Sequence, residues 1–341
     1  MGGLHAYTQA LLRCMAANGG PVAALVPQQS ELPHGIVRMD APGTITMLGR
    51  SSWVRSVRGF LYAARQARRY RGWHVLSTTH LGLPGHGHQV LTVHDLRPWS
   101  LPDSWVQTVY FRLLLPRALR RADGVLTVSE TSKEMIASTC GIAREKIFVV
   151  PNVVRAVPPA AAAPPQAPYL LMVNATYRHK NAAELLAQHA LWRPRYRLKI
   201  LAGEGSCREE LRAQVAALQL TEHVDFLPVV TDEELASLYA DAAALVYPSQ
   251  MEGFGLPPAE AMLHGTPVIV SDIPVFHEIL GDAPLFVKLG DTASWQRALD
   301  GIDEARLPER VEHARSIAAQ YTEERMCAAL SAALRTIWPN R

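Results

Sequence analysis

A repeated alternation constrains this chain more than any other feature. Short apolar runs rich in strand-forming residues lie at 74–77, 89–93, 124–128, 147–150, 169–173, 198–202, 224–227, 243–247, 267–271 and 285–287. Between them are longer segments whose apolar residues recur at helical spacing, such as 131–138, 182–191, 208–218, 232–239 and 258–264. Strand, helix, strand repeated in this way predicts parallel sheets covered by helices, since a parallel pair needs a crossover long enough to hold one. With 341 residues, 48% of them hydrophobic, the chain is long enough for two such bodies with separate cores. The Pro/Ala stretch 156–165, unsuited to a strand interior or a stable helix, marks the boundary. The expected architecture is α/β: two Rossmann-like, doubly wound domains at 1–155 and 156–325 facing across a cleft, and a helix at 326–341 returning to the first. The ligand is expected where the C-terminal strand ends of both sheets meet.

The net charge of +3 conceals a division at the same boundary. Residues 1–155 carry 18 basic and 8 acidic side chains, whereas 156–341 carry 16 and 23. A partner drawn by charge is expected to meet the first half. Cys14, Cys140, Cys207 and Cys327 are far apart and form no CxxC or Cys/His cluster. Their spacing suggests neither a zinc site nor a disulfide framework, and it suits a reducing, cytoplasmic setting. No apolar run reaches the roughly 20 residues that span a bilayer, and the first residues lack the regions of a signal peptide, so at a membrane the chain is expected to lie on the surface.

The most informative segment runs from Tyr247 to Met262, YPSQMEGFGLPPAEAM. An apolar strand ends at Tyr247, a loop with Gly253 and Gly255 follows, and a helix opens at Pro257-Pro258, where proline is tolerated because first-turn N–H groups lack partners. Such a junction offers amide donors and a positive dipole end, which suits a diphosphate. Glu252 and Glu260 bracket it, positioned to grip two sets of hydroxyls. A plainer reading makes Glu260 a helix-start carboxylate and the glycines ordinary turn residues.

Glu252 and Glu260, seven residues apart in EGFGLPPAE, resemble the E-x7-E signature of retaining glycosyltransferases of family 4, which have the GT-B fold. The likeness extends over most of the chain, through Gly265-Thr266-Pro267, Glu278, Tyr239, Gly203-Glu204-Gly205, Lys180-Asn181, Pro151-Asn152, Ser129 and His94-Asp95. The resemblance implies that Glu260 holds the nucleotide ribose and that Glu252 binds donor-sugar hydroxyls near the anomeric carbon. It implies that the N–H groups of Phe254, Gly255 and Leu256 meet the sugar and the distal phosphate, and that Lys180, with Arg178 nearby, neutralises the diphosphate. Gly203 falls in the same donor-binding set. The family commonly has Arg where this chain has His179, and Pro228 and Val153 stand where glycine is usual.

In the first half, His94 ends the strand of Val93-His94-Asp95-Leu96, and the resemblance implies that it approaches the donor sugar as a catalytic group beside Glu252 and Lys180. Asp95 either orients the ring or caps the next turn. Gly2-Gly3 match the glycine-rich first loop that approaches the donor diphosphate. Family members carry a strand before this loop; here either the start lies upstream or the sheet lacks that strand. From Trp53 to Trp73, apolar residues at helical spacing alternate with Arg55, Arg58, Arg65, Arg68, Arg69 and Arg71. This is either an amphipathic helix on anionic lipid or a solvated arginine face over a core. Arg117, Arg120 and Arg121 form a second, smaller cluster.

The expected reaction is transfer of a sugar from a nucleotide-sugar to an acceptor hydroxyl, with retention, in bacterial surface polysaccharide synthesis. GDP-mannose is the favoured donor and a UDP-sugar the alternative; the acceptor is a glycan or lipid-linked glycan, reached on the inner face of the cytoplasmic membrane. No Asp-x-Asp motif occurs among these segments, so no metal and no cofactor are expected, the diphosphate being met by Lys180, Arg178 and a helix N-terminus. Whether Glu252 is a nucleophile or a binder stays open. Rival readings are a GT-B epimerase or phosphorylase, a nucleic-acid surface on the basic half, and a non-catalytic partner-binding subunit. The basic clusters lack interleaved aromatic RNA-binding signatures, so no nucleic acid is expected.

Overall fold

A computed structural model describes residues 3–17, 22–27, 32, 34, 36–41, 65–66, 68–83, 85–102, 104–160 and 167–339. The chain divides into one unit of Met1–Val153 with Tyr321–Arg341 and a second of Val154–Gln320. Twelve strands among the described residues are β1 (Val22–Pro27), β2 (Ile36–Ala41), β3 (Val75–Ser77), β4 (Gln89–Thr92), β5 (Gly124–Thr127), β6 (Ile147–Val149), β7 (Tyr169–Met172), β8 (Arg197–Leu201), β9 (Val224–Leu227), β10 (Ala244–Tyr247), β11 (Val268–Ser271) and β12 (Leu285–Val287). The helices that matter below are α1 (Gly3–Ala17), α2 (Trp105–Val109), α3 (Leu115–Arg121), α4 (Glu130–Cys140), α5 (Ala182–Ala187), α6 (Ser206–Ala217), α7 (Asp232–Asp241), α8 (Leu256–Leu263), α9 (Pro274–Leu280), α10 (Thr292–Asp300), α11 (Pro308–Ala318) and α12 (Glu323–Ile337).

The second unit is one six-stranded sheet in the order β12-β11-β10-β7-β8-β9, parallel throughout. Its central strands β7, β10 and β11 are buried at every position, as expected of strands covered on both faces. Leu170, Met172, Leu198, Ile200, Val246, Trp192 and Trp295 belong to one core, in which the two tryptophans are fully buried. The chain winds outward through β7, β8 and β9, then returns to place β10 on the other side of β7. The strand order therefore reverses between β7 and β10, and a ligand crevice is expected outside the C-terminal ends of those two strands.

The first unit holds a four-stranded parallel sheet, β3-β4-β5-β6, and a separate parallel pair, β1-β2. Strands β1 and β2 went unread in the sequence because VAALVP is alanine-rich and ends in proline, and IVRMDA alternates with charge. No strand precedes α1 among the described residues. Most of the arginine-rich 53–73 stretch lies outside the described residues; Arg65, Gln66, Arg68 and Arg69 within it are helical.

Two expectations are corrected. The single helix expected over 182–191 breaks at Gln188, where the backbone leaves helical geometry at φ −86°, ψ 17° and the N–H is shared between the Glu184 and Leu185 carbonyls; the Leu185 carbonyl also accepts the indole N–H of Trp192 at 2.9 Å. A disulfide joins Cys14 of α1 to Cys327 of α12, with Cα atoms 5.0 Å apart. Cysteine spacing concealed it: 313 positions separate the pair, and only the packing of the two helices brings them together. Arg13 on α1 also pairs with Glu323 on α12 at 2.7 Å. No helix among the described residues is long and apolar enough to cross a membrane.

Candidate functional site

The loops after β7 and β10 carry the cluster expected at the reversal point. After β7 the chain runs to a short 3-10 turn, Arg178–Lys180, closed by Asn181 in the left-handed region at φ +60°. After β10, Gln250 donates its backbone N–H to the His179 carbonyl at 2.9 Å, tying the two loops together. Lys180 is thereby held buried, its Nζ donating to Tyr247 Oη at 2.6 Å and to Glu252 Oε1 at 2.5 Å, and lying 4.8 Å from the centre of the Tyr247 ring. Tyr247 also hydrogen-bonds Glu252; burial first, and the Glu252 charge second, hold its phenol far above its ordinary range, so it remains protonated. Two of the three ammonium donors are thus engaged by Tyr247 and Glu252.

Helix α8 opens at Gly255, whose φ of +94° lies in the left-handed region. A Cβ at Gly255 would fall 2.7 Å from Cε1 of Phe276 on α9, so both the conformation and the space demand glycine. Pro257 and Pro258 have no N–H, which leaves Leu256 as the donor among the first three helical residues, beside the Gly255 N–H. Glu260, one turn further, accepts a hydrogen bond from Tyr239 Oη on α7 at 3.1 Å. Burial raises its carboxyl above the usual range, and the Tyr239 hydroxyl opposes that rise. One Glu therefore sits against a cation and the other against a phenol.

Gly203, at the end of β8, donates its N–H to Thr176 Oγ1 at 2.8 Å, which joins the β8 loop to the β7 loop. Arg208 is buried below it and donates to the Ala202 carbonyl at 2.9 Å. Arg178, by contrast, is an exposed side chain paired with Glu210. Lys180, Glu252, Gly255, Leu256, Glu260 and Gly203 thus lie around one strand-end region of the second unit, with Arg178 facing solvent. Sequence reasoning missed Tyr247 and Arg208. The sole signal for Tyr247 was a phenol at the last position of a buried strand, and nothing marked Arg208 apart from its helix neighbours.

His94 and Gly3 belong to the first unit; Gly2 lies outside the described residues, and Gly3 opens α1. His94 follows β4, and its Nε2 lies 2.9 Å from the Thr78 carbonyl. A carbonyl only accepts, so Nε2 carries the proton and Nδ1 of the neutral ring is an acceptor. Desolvation lowers the His94 value, which the Thr78 contact partly opposes, and the ring meets Tyr7 edge-on at 4.7 Å. Asp95 caps the following turn, accepting from the Arg97 N–H at 2.9 Å. Beside it, and unforeseen in the sequence, His80 packs against Tyr110 and Phe111, and burial pushes its value down to about 4.

Residues 155–320 match the family model described as Glycosyl transferases group 1, and residues 1–156 the model described as Glycosyltransferase Family 4. The chain is 38% identical to the O-antigen chain mannosyltransferase RfbU of Salmonella typhimurium, over 86% of this chain and 83% of that protein. In fold it resembles sucrose-phosphate synthase of Thermosynechococcus elongatus, with a TM-score of 0.77, 20% identity, and coverage of 98% of this chain and 93% of that one. Anabaena HepE, solved with UDP-glucose, gives a TM-score of 0.75 at 16% identity, covering 98% of this chain and 96% of that one.

Proposed function

Because the chain belongs to glycosyltransferase family 4, we propose that it moves a mannosyl residue from GDP-mannose to a hydroxyl of a glycan or lipid-linked glycan acceptor, with retention at the anomeric carbon, in assembly of a bacterial surface polysaccharide. The observation that carries the site is Lys180, a buried ammonium held by Tyr247 and Glu252 at the point where the strand order reverses. Identity to a mannosyltransferase supports the sugar.

In this reading the bond between the anomeric carbon and the diphosphate breaks with its electron pair departing on the diphosphate, while the acceptor oxygen bonds that carbon on the same face and its proton passes to the departing phosphate oxygen. Lys180 and the N–H groups of Gly255 and Leu256 meet that charge, worth most in a site closed to water. Glu252 binds the sugar hydroxyls next to the reacting carbon. Glu260 accepts from the ribose hydroxyls, with Tyr239 fixing its carboxylate. His94 presents Nδ1 as an acceptor for a sugar hydroxyl. Because Lys180 and a helix start already supply positive charge, activity is expected without a divalent ion, and complete loss in chelator would contradict that part. The reaction is placed on the cytoplasmic side, with peripheral attachment to the inner face of the membrane.

The decisive measurement is a thermal-shift screen against GDP, UDP, ADP and dTDP and their sugars, because a ligand that binds only the native state raises the midpoint. GDP-mannose is expected to raise it by several degrees, and Lys180→Met to abolish the shift. A shift from UDP-glucose and none from GDP-mannose would overturn the donor assignment.

A further inference from the structure

Helix α1 buries one face, Tyr7, Ala10, Leu11 and Cys14, at the spacing of a helix packed on a core. Its last turns are braced by α12, through Arg13 on Glu323 at 2.7 Å and through the bridge from Cys14 to Cys327. Its first turns meet the loop after β3. There the Thr8 hydroxyl, which donates to the Leu4 carbonyl at 2.9 Å, shares a hydrogen bond of 3.0 Å with the hydroxyl of Thr78. Thr78 is also the residue whose carbonyl accepts from His94 Nε2, so α1 and His94 are fixed to the same point.

The Thr78 bond selects which nitrogen faces it but does not aim the ring. Rotation of an imidazole about its Cβ–Cγ bond has only a broad preference. Nε2 points nearly along that bond and Nδ1 nearly across it, so a swing that keeps the Thr78 contact still sweeps Nδ1 sideways. Tyr7 supplies the missing restraint. It is 2% exposed, and its ring stands at 86° to that of His94 with centroids 4.7 Å apart, so a swing of either ring drives an edge into a face. Asp95 and His80 are the titratable neighbours of the imidazole, and each is committed elsewhere, Asp95 to the Arg97 N–H and His80 to the rings of Tyr110 and Phe111.

We propose that Tyr7 is a positioning residue for His94: its ring sets the swing of the imidazole and thereby the direction in which Nδ1 meets a hydroxyl of the donor sugar. The proposal rests on the role of His94 at that sugar and adds the group that aims it. Tyr7 acts through the imidazole, and α12 keeps Tyr7 in place by bracing α1.

The test compares Tyr7→Phe, which keeps the ring, with Tyr7→Leu, which keeps apolar bulk without a planar face, in the full chain and well below the melting midpoints. One readout is the NMR titration of isotope-labelled histidine, with the His94 signal identified by its loss in His94→Ala. The other is release of GDP from GDP-mannose, with water in the acceptor's place; the titration needs no acceptor and decides by itself where hydrolysis is slow. Wild type and Tyr7→Phe are expected to share the Nε2–H tautomer, a His94 value below the ordinary 6.5, and turnover within about twofold of each other. Tyr7→Leu is expected to move the His94 value up toward the ordinary one and to lower kcat about 10- to 100-fold, the scale of a misaimed group, with KM for GDP-mannose nearly unchanged. An unmoved titration in Tyr7→Leu would mark a merely structural role and overturn the proposal, as would a wild-type kcat in that variant or a Tyr7→Phe as slow as Tyr7→Leu. His94→Ala turning over like wild type would instead strike the role of His94 itself, and this proposal with it.

Discussion

Each glutamate of the E-x7-E pair owes its role to a different partner. Glu252 stands against the Lys180 ammonium and Glu260 against the Tyr239 hydroxyl. Lys180→Met is expected to leave Glu252 and Tyr247 without their shared donor and to lower kcat by about 10²–10³, the scale of losing one preorganised charge at a departing group. Glu260→Gln is expected mainly to raise KM for the donor by about 10-fold or more, since a charged hydrogen bond is worth roughly 1.5–3 kcal/mol. Steady-state kinetics separate the two, and equal effects on kcat and KM in both variants would contradict the assignment. His80 carries a pH prediction. Its value falls from 6.5 to about 4 in the folded chain, chiefly through burial. Between those limits the unfolded chain binds a proton that the folded one refuses, so stability is unaffected above pH 6.5 and is lost as pH falls toward 4, by up to about 3 kcal/mol. His94 shifts in the same direction. His80→Asn is expected to flatten the acid limb of a midpoint-against-pH curve; an unchanged slope would remove His80 as its cause. The two histidines differ in legibility: His94 sits in a recognisable motif, whereas His80 becomes notable only once Tyr110 and Phe111 fold over it.

Among the elements, the loop into α8 was the most legible. Its glycines and prolines announce a strand-to-helix turn, and Gly255 at φ +94° against Phe276 gives the physical reason that one of them is irreplaceable. Gly255→Ala combines a left-handed Cβ penalty of roughly 1–2 kcal/mol with a clash. It is expected to lower the melting midpoint by several degrees and to abolish the donor-induced shift. Gly255→Ala with Phe276→Leu should recover part of the midpoint by relieving the clash, and no recovery would show that backbone conformation dominates. Helix α5 teaches the opposite lesson. Periodicity carries it past Gln188, whereas the backbone turns there and the Trp192 indole bonds back to the Leu185 carbonyl, contacts that no local pattern marks.

For the whole molecule, the Cys14–Cys327 bridge closes a loop of 313 positions, and Arg13–Glu323 reinforces the same helix pair. Cys14→Ser, or reduction of wild type, is expected to cost about 2–4 kcal/mol, read as a lower unfolding midpoint of the first unit. Melting curves identical with and without dithiothreitol would show that packing and the ion pair suffice. In a reducing compartment those two contacts hold α1 to α12 in place of the bridge. Alternation of strand and helix, the Pro/Ala stretch and the short-range E-x7-E motif determine by themselves a pair of parallel α/β bodies and a glycine- and proline-marked strand-to-helix turn, because each depends on residues within a few positions of one another. The sheet order that puts β10 beside β7, the meeting of Lys180 with Tyr247 and Glu252, the disulfide and the contact of Tyr7 with His94 were decided only by the tertiary structure. Each joins residues distant in the chain, and neither spacing nor composition carries that information.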